Sequence, residues 1–207
     1  MSAKLTLTRA TLTLCLVLAA VVAVGTATGS ALSGPSSSRS NGPTPLTPAV
    51  KKQLQAAKAA TAKYQNVARA IADGYRGPPG GPYEPQGHCA ASPPDARIAG
   101  YKGGGMGIHF DNAVQIAKKG FDIRHPEQLN YIPIGDKLKL VAIEFFQRDA
   151  DQKLSTDGDR PTLFGQPFDG PMPGHYPGQA VHYDLHVWLF ANNPNGMFTT
   201  WNPAVHC

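Results

Sequence analysis

The chain has 207 residues, of which 42% are hydrophobic, and a formal charge of +5 at pH 7. This length suits one domain with its own core. The basic residues are scattered, and no basic groove with interleaved aromatic residues can be read, so the composition argues against a nucleic-acid-binding protein.

Residues 1–31 predict a secretory signal peptide. Lys4 and Arg9 form a short basic region, residues 12–25 are an uninterrupted apolar run, and small residues follow, with cleavage expected after Ala27 or Ala31. The apolar run is short for a transmembrane helix, so an uncleaved N-terminal anchor is the alternative, and we expect no other contact with a membrane. Cleavage lowers the formal charge from +5 to +3. The predicted location is therefore secreted, extracellular or facing the cell wall.

The folded part is expected to begin with a long helix. Residues 32–46 are rich in Ser, Pro and Gly, which predicts a disordered tether before a single domain over 47–207. Thr47 is a candidate N-cap, Pro48 suits the first turn, and Gly74 is the expected end of the helix. Apolar or small residues recur every three or four positions between them. The apolar stripe is narrow, so this helix should pack on a larger layer.

The rest of the chain predicts short β-strands between loops that are rich in Gly and Pro. The loops cover 74–105 and 148–180. The predicted elements are a strand at 106–110, a short helix at 111–119 capped by Asp111, a hairpin of 129–134 and 138–146, a strand at 181–190 and a last strand-like run at 197–201. This order indicates an α+β fold. We expect a monomer in which the long N-terminal helix packs on a small, curved, mostly antiparallel sheet or a partial β-barrel.

Two cysteines remain after the signal peptide is removed, Cys89 and Cys207. Two cysteines in an exported chain most often pair. A bridge between them would close a loop over most of the domain, which the chain-entropy model values at about 4 to 5 kcal/mol. The alternative is a pair of thiolate metal ligands with His88 and His206 beside them.

Glu144 is the first candidate site residue. It lies in LKLVAIEFF, a run that is apolar on both faces and therefore typical of a buried central strand. Strict alternation places Leu140, Ala142 and Phe146 on the face of Glu144. A carboxylate is costly there unless it is paired, hydrogen-bonded or bound to a metal.

Histidines on two other strands could join it. His109 follows a glycine-rich loop, GGGMG, that permits sharp turns and close approach. His182 and His186 share one face of VHYDLHVWLF, but on a strand they would lie roughly 13 Å apart, whereas zinc–nitrogen bonds are about 2.1 Å. They should not share one ion, and His182 is expected at the rim.

The candidate metal site is then His109, Glu144 and His186. Two imidazoles and one carboxylate suit Zn²⁺, Cu²⁺ or Fe²⁺ with an open position. Asp184 is expected to orient an imidazole from the second shell. On the same face as His186, Trp188 and Phe190 are expected to form an apolar ligand wall, with His182 beside them. The same trio without a metal could perform acid–base chemistry.

Several segments resemble a family of exported bacterial proteins of unknown function. They are GGGMGIHF, LVAIEFF, RPTLFGQPFDGPMPGH, YDLHVWLF, NPNGMF and WNPAVHC. The resemblance runs from about Ala56 to the end and implies export and one domain. It implies no activity and carries over no catalytic residue.

The sequence thus predicts a secreted single-domain protein that binds a divalent metal or a small ligand through a His/Glu site on its sheet. One alternative is a non-catalytic structural or interaction module that binds a protein partner and no ligand. Another is a metal-free hydrolase that uses Glu144 and His186.

Overall fold

The computed structural model describes residues 46–77, 89–92, 103–175 and 178–206, all of which belong to one unit, Gly42–Cys207. The signal peptide and nearly all of the tether lie outside the described residues. Cys207 also lies outside them, and the side chain of Cys89 is not described, so their bridge stays a prediction. Within the described ranges, no helix combines the length and the apolar character needed to cross a bilayer.

The predicted long N-terminal helix is divided into three pieces. Helix α1 covers Pro48–Thr61, a 3₁₀ turn covers Ala62–Gln65, and helix α2 covers Val67–Ala72. The N-cap prediction is confirmed, because the side chain of Thr47 accepts a hydrogen bond from the amide of Val50 at 3.2 Å.

The helix breaks because its hydrogen bonds are redirected at Asn66. In a continuous helix the amide of Ala68 would donate to the carbonyl of Tyr64. That carbonyl instead accepts the hydroxyl of Tyr131 at 2.6 Å, and the Ala68 amide donates to Oδ1 of Asn66 at 3.0 Å. Asn66 adopts an extended conformation and caps α2. A contact with the sheet thus overrides the helical pattern.

The sheet confirms the α+β fold. Its six strands are antiparallel and curl into a half-barrel, in the order β1-β2-β3-β4-β8-β7. A separate small hairpin is formed by β5 and β6. The strands are β1 Cys89–Ser92, β2 Gly104–Asp111, β3 Gln128–Ile134, β4 Lys137–Arg148, β5 Thr162–Leu163, β6 Gln166–Pro167, β7 Asp169–Met172 and β8 His182–Val187.

The predicted hairpin is confirmed as β3 and β4, with Gly135 in the turn at φ 59°. The predicted short helix is only Ala113–Ile116 (α3). Its cap is Asn112 rather than Asp111, because Oδ1 of Asn112 accepts hydrogen bonds from the amides of Val114 and Gln115. Residues 197–201, predicted as a strand, form turns.

The main core lies on one face of the sheet, against the helices. Side chains from β8 in this core are Tyr183, Leu185 and Val187. Because side chains alternate along a strand, His182, Asp184 and His186 lie on the opposite face. A second, smaller cluster contains Val141, Ala142, Trp188 and Val205.

A bulge in β4 corrects the predicted position of Leu140. Tyr131 pairs with Leu140 and the preceding Asn130 pairs with Ala142, so Val141 is an extra residue in β4. Leu140 therefore packs in the main core with Ile143 and does not share the face of Glu144. Beyond the bulge, the predicted alternation holds.

Candidate metal centre

A row of polar residues crosses the face of the sheet opposite the main core. By strand register, Gln128 is paired with Asp111 on one side and with Glu144 on the other, and Glu144 is paired with His186. Paired residues point to the same face. The next row contains His109, paired with Asn130. Four strands therefore bring these side chains together.

Gly107 permits the close approach of β2 to β3 next to His109. Its φ is +90°, and a Cβ at this position would lie 2.6 Å from the carbonyl oxygen of Tyr131. A side chain would both clash and be strained in that conformation. The glycine-rich segment thus sets the position of the strand that carries His109.

The three predicted ligands converge on one atom. Oε2 of Glu144 lies 3.0 Å from Nε2 of His109 and 3.1 Å from Nε2 of His186. The same oxygen accepts a hydrogen bond from Nδ2 of Asn130 at 2.8 Å. The question that the sequence left open, whether the trio meets, is answered by this geometry.

The two imidazoles are close to the carboxylate but poorly aligned with it. Nε2 of His109 and Nε2 of His186 are both buried and neither makes an aligned hydrogen bond. Two ligand atoms at about 2.1 Å from a shared ion are about 3.0 Å apart at a right angle and about 3.4 Å apart in a tetrahedron. The observed separations of 3.0 and 3.1 Å fit two ligands of one ion at about a right angle, and they also fall within hydrogen-bond range. The poor alignment of the two imidazoles is therefore the feature that favours a shared ion.

His109 is the most exposed member of the trio. Its side chain is 12% exposed, whereas those of Glu144 and His186 are 1% and 0% exposed. Any open coordination position would face the side of His109.

Burial and charge act in opposite directions on the pKa of each member. Burial is the largest single effect on His186 and lowers its pKa, but the negative charges of Glu144 and Asp184 together outweigh burial and raise that pKa to about 9. The same balance raises the pKa of His109. Burial favours the neutral acid of Glu144, yet the positive charges of His186 and His109 hold its pKa well below the usual range. A cation would therefore bind at an ionised carboxylate and displace protons from the imidazoles.

Asp184 lies behind His186, on the side of Nδ1. Its Oδ1 is 3.7 Å from Nδ1 of His186, which is longer than a hydrogen bond. The side chain is fully buried, and neither oxygen has a hydrogen-bond partner.

The structure corrects the expected rim position of His182, whose side chain is only 1% exposed. Its ring stacks on Phe146 with centroids 4.7 Å apart. As predicted, His182 and His186 do not share a candidate site, because their ligand atoms fall into two separate groups.

Of the two aromatic residues predicted to line the site, only Trp188 lies there. Its ring is nearly parallel to that of His186, with centroids 6.4 Å apart, and its Nε1 donates to the carbonyl of Thr199 at 2.7 Å. Phe190 packs against the main core, beneath Nζ of Lys58. The prediction for Phe190 is wrong because β8 ends at Val187 and the turn that follows breaks the alternation.

Sequence reasoning missed Asn130 and His175. Asn130 is fully buried in LNYIPI, and a polar residue within an apolar strand is the signal that could have identified it. His175 lies in a loop, and its ring is 5.8 Å from that of His109 and 4.9 Å from that of His182. No periodic pattern marks such a loop residue.

Similarity to known proteins adds no assignment to this site. The resemblance to exported bacterial proteins therefore stays a prediction, and the function has to be argued from geometry. Comparisons of the chain with protein-family models, with curated proteins and with solved structures find no match.

Proposed function

We propose that this protein binds a divalent transition-metal ion through Nε2 of His109, Nε2 of His186 and the carboxylate of Glu144. The observation that carries the proposal is the convergence of two buried imidazole nitrogens on one buried carboxylate oxygen, within 3.1 Å and without aligned hydrogen bonds. Buried polar atoms in native proteins nearly always have partners. A shared cation would give both imidazole nitrogens a partner and would bind the carboxylate, whose Oε2 already accepts a hydrogen bond from Asn130.

The donor set narrows the choice of ion. Imidazole nitrogens suit Zn²⁺, Cu²⁺ and Fe²⁺, whereas Mg²⁺ and Ca²⁺ prefer a full set of oxygens. Three protein ligands leave at least one position for water or a small ligand. The exposed edge of His109 is where that ligand would enter.

Neighbouring residues support this role. The amide of Asn130 fixes Oε2 of Glu144, and Asp184 stands behind the far nitrogen of His186. Such outer partners orient the ligands of metal sites. Trp188 closes the side of the site next to His186.

We also propose that the domain acts outside the cytoplasm. The basic, apolar and small-residue segments of 1–31 support export, and so does the pair Cys89 and Cys207. N-terminal sequencing of protein secreted by a bacterial host tests this. Recovery of a chain that still begins at Met1 would contradict a cleaved signal peptide.

The rival explanation is a structural ion-pair network with no ligand. It is favoured by the separations of 3.0 and 3.1 Å, which also permit charge pairing. Buried ion pairs of this kind can exist without contributing much net stability.

Metal analysis separates the two explanations. Protein prepared without a polyhistidine tag is dialysed against Zn²⁺, Cu²⁺ or Fe²⁺ and then analysed for bound metal by mass spectrometry. We expect Glu144→Gln and His109→Ala each to bind one equivalent of metal less than wild type. His125→Ala is the matched control, because His125 pairs with Asp122 on an exposed part of the chain. If wild type holds less than about a tenth of an equivalent more metal than Glu144→Gln, the proposal is refuted.

A further inference from the structure

A second group of metal-ligating side chains lies beside the trio. His175, His182 and Asp184 place their ligand atoms within 4.8 Å of one another. Nε2 of His182 is 3.8 Å from Oδ2 of Asp184. None of these residues belongs to the trio, so the group has to be explained separately.

His182 presents one nitrogen in the form that a metal requires. Its Nδ1 lies 3.0 Å from the carbonyl oxygen of Ala180. A carbonyl only accepts, so Nδ1 carries the proton and the lone pair is on Nε2. Stacking on Phe146 fixes the plane of the ring. A backbone carbonyl on the far nitrogen is the usual support for a metal-binding imidazole.

Asp184 provides a second observation, separate from the clustering of ligand atoms, that points to a bound cation. The side chain is fully buried, and neither carboxylate oxygen has a hydrogen-bond partner. Oδ1 faces His186 at 3.7 Å, and Oδ2 faces His182 at 3.8 Å. A buried carboxylate that accepts no hydrogen bond is costly even with imidazoles at these distances, and a cation next to Oδ2 would lower that cost.

Met172 indicates which cation fits. Its Sδ lies 3.4 Å from Nε2 of His175, and strand register places Met172 opposite His182. A thioether is a soft ligand that favours copper over zinc or magnesium, and imidazole also binds copper well.

We propose that His175, His182 and Asp184 form a second metal site, with Met172 as its soft ligand, and that this site takes copper. His175 is exposed, so the ion enters from solvent. Asp184 connects the two positions, with one oxygen directed at each. The proposal stands independently of the first site because the two share no ligand.

The test uses the full processed chain without a polyhistidine tag, titrated anaerobically with Cu⁺ against a chromogenic chelator. We expect wild type to take up Cu⁺, and His175→Ala and Met172→Leu each to weaken it by at least about tenfold. Both positions are exposed or half-buried, so the variants keep the fold. His125→Ala again serves as the control and should bind Cu⁺ like wild type.

A parallel titration with Zn²⁺ tests the role of sulfur. Met172→Leu should weaken Cu⁺ binding much more than Zn²⁺ binding, because zinc gains little from a thioether. Equal losses for the two ions would overturn the choice of copper. Unchanged Cu⁺ affinity in His175→Ala would overturn the site itself.

Glu144→Gln keeps the two proposals separable. It should remove metal from the trio and leave Cu⁺ binding intact, whereas His175→Ala should do the reverse. If Glu144→Gln changes no metal content but His175→Ala lowers Cu⁺ affinity, the first proposal fails and the second stands.

Discussion

Glu127 provides a pH test of this fold that does not depend on any metal. The residue immediately precedes β3 and is only 3% exposed. Its Oε2 has no hydrogen-bond partner. Burial raises its pKa from 4.5 to about 8, although the backbone amides of Glu127 and Phe146 act in the opposite direction.

The direction of the pH effect follows from proton linkage. The folded state keeps a proton on Glu127 that the unfolded state releases between pH 4.5 and about pH 8. The stabilising contribution is therefore complete below pH 4.5 and is lost as the pH rises toward 8. At about 1.4 kcal/mol per pKa unit, the whole change is on the order of 4 to 5 kcal/mol.

Urea unfolding of wild type and Glu127→Gln, with a chelator present, measures this effect. Glutamine cannot ionise, so its curve should lack the part of the pH dependence that comes from Glu127. Relative to Glu127→Gln, wild type should lose several kcal/mol between pH 5 and pH 8. Asp136→Asn is the control, because Asp136 is exposed in the turn between β3 and β4. Parallel loss of stability in wild type and Glu127→Gln would refute the reasoning.

Three further predictions concern the site and its strands. Zn²⁺ at a hundred times its dissociation constant should add about 2.7 kcal/mol to the free energy of unfolding. Calorimetry should then show a rise in Tm of roughly 5 to 10 °C. Glu144→Gln should abolish the part of this rise that comes from binding at the trio. Asn130→Ala should weaken Zn²⁺ binding by about 10- to 100-fold without changing the stoichiometry in isothermal titration, because it frees Oε2 of Glu144. Gly107→Ala should lower the free energy of unfolding in urea by about 2 kcal/mol or more, because a Cβ would lie 2.6 Å from the Tyr131 carbonyl. If a variant gives the same value as wild type in its measurement, the role proposed for that residue is wrong.

Two members of the trio, Glu144 and His186, are marked by local sequence patterns. Glu144 interrupts an apolar run, and His186 lies on the polar face of an alternating strand. What the sequence could not supply was the register that pairs Glu144 with His186 and brings His109 within 3.0 Å. The hairpin of β3 and β4 is local, but the register of β8 on β4 joins strands that are far apart in the chain, since β4 ends at Arg148 and β8 begins at His182.

The predictions that failed share a different cause. The helix breaks at Asn66 because the hydroxyl of Tyr131, on the sheet, donates a hydrogen bond to the carbonyl of Tyr64. Leu140 changes face because Val141 is an extra residue in β4, and Phe190 does so because the strand ends early. In each case a tertiary contact or a local irregularity overrides a periodic pattern that is otherwise correct.

The placement of unpartnered polar atoms bears on whether the polar face is structural or functional. Nine buried side-chain atoms of the described residues have no hydrogen-bond partner. Apart from Glu127 and Asp149, all belong to residues on the polar face of the sheet, namely His109, Gln128, Asn130, Asp184 and His186. A network selected only for stability would be closed by its own hydrogen bonds, because a partly satisfied buried network is worse than an apolar one. The main core on the opposite face already supplies apolar packing. The concentration of unsatisfied atoms on one face therefore favours a ligand-binding role over the structural alternative.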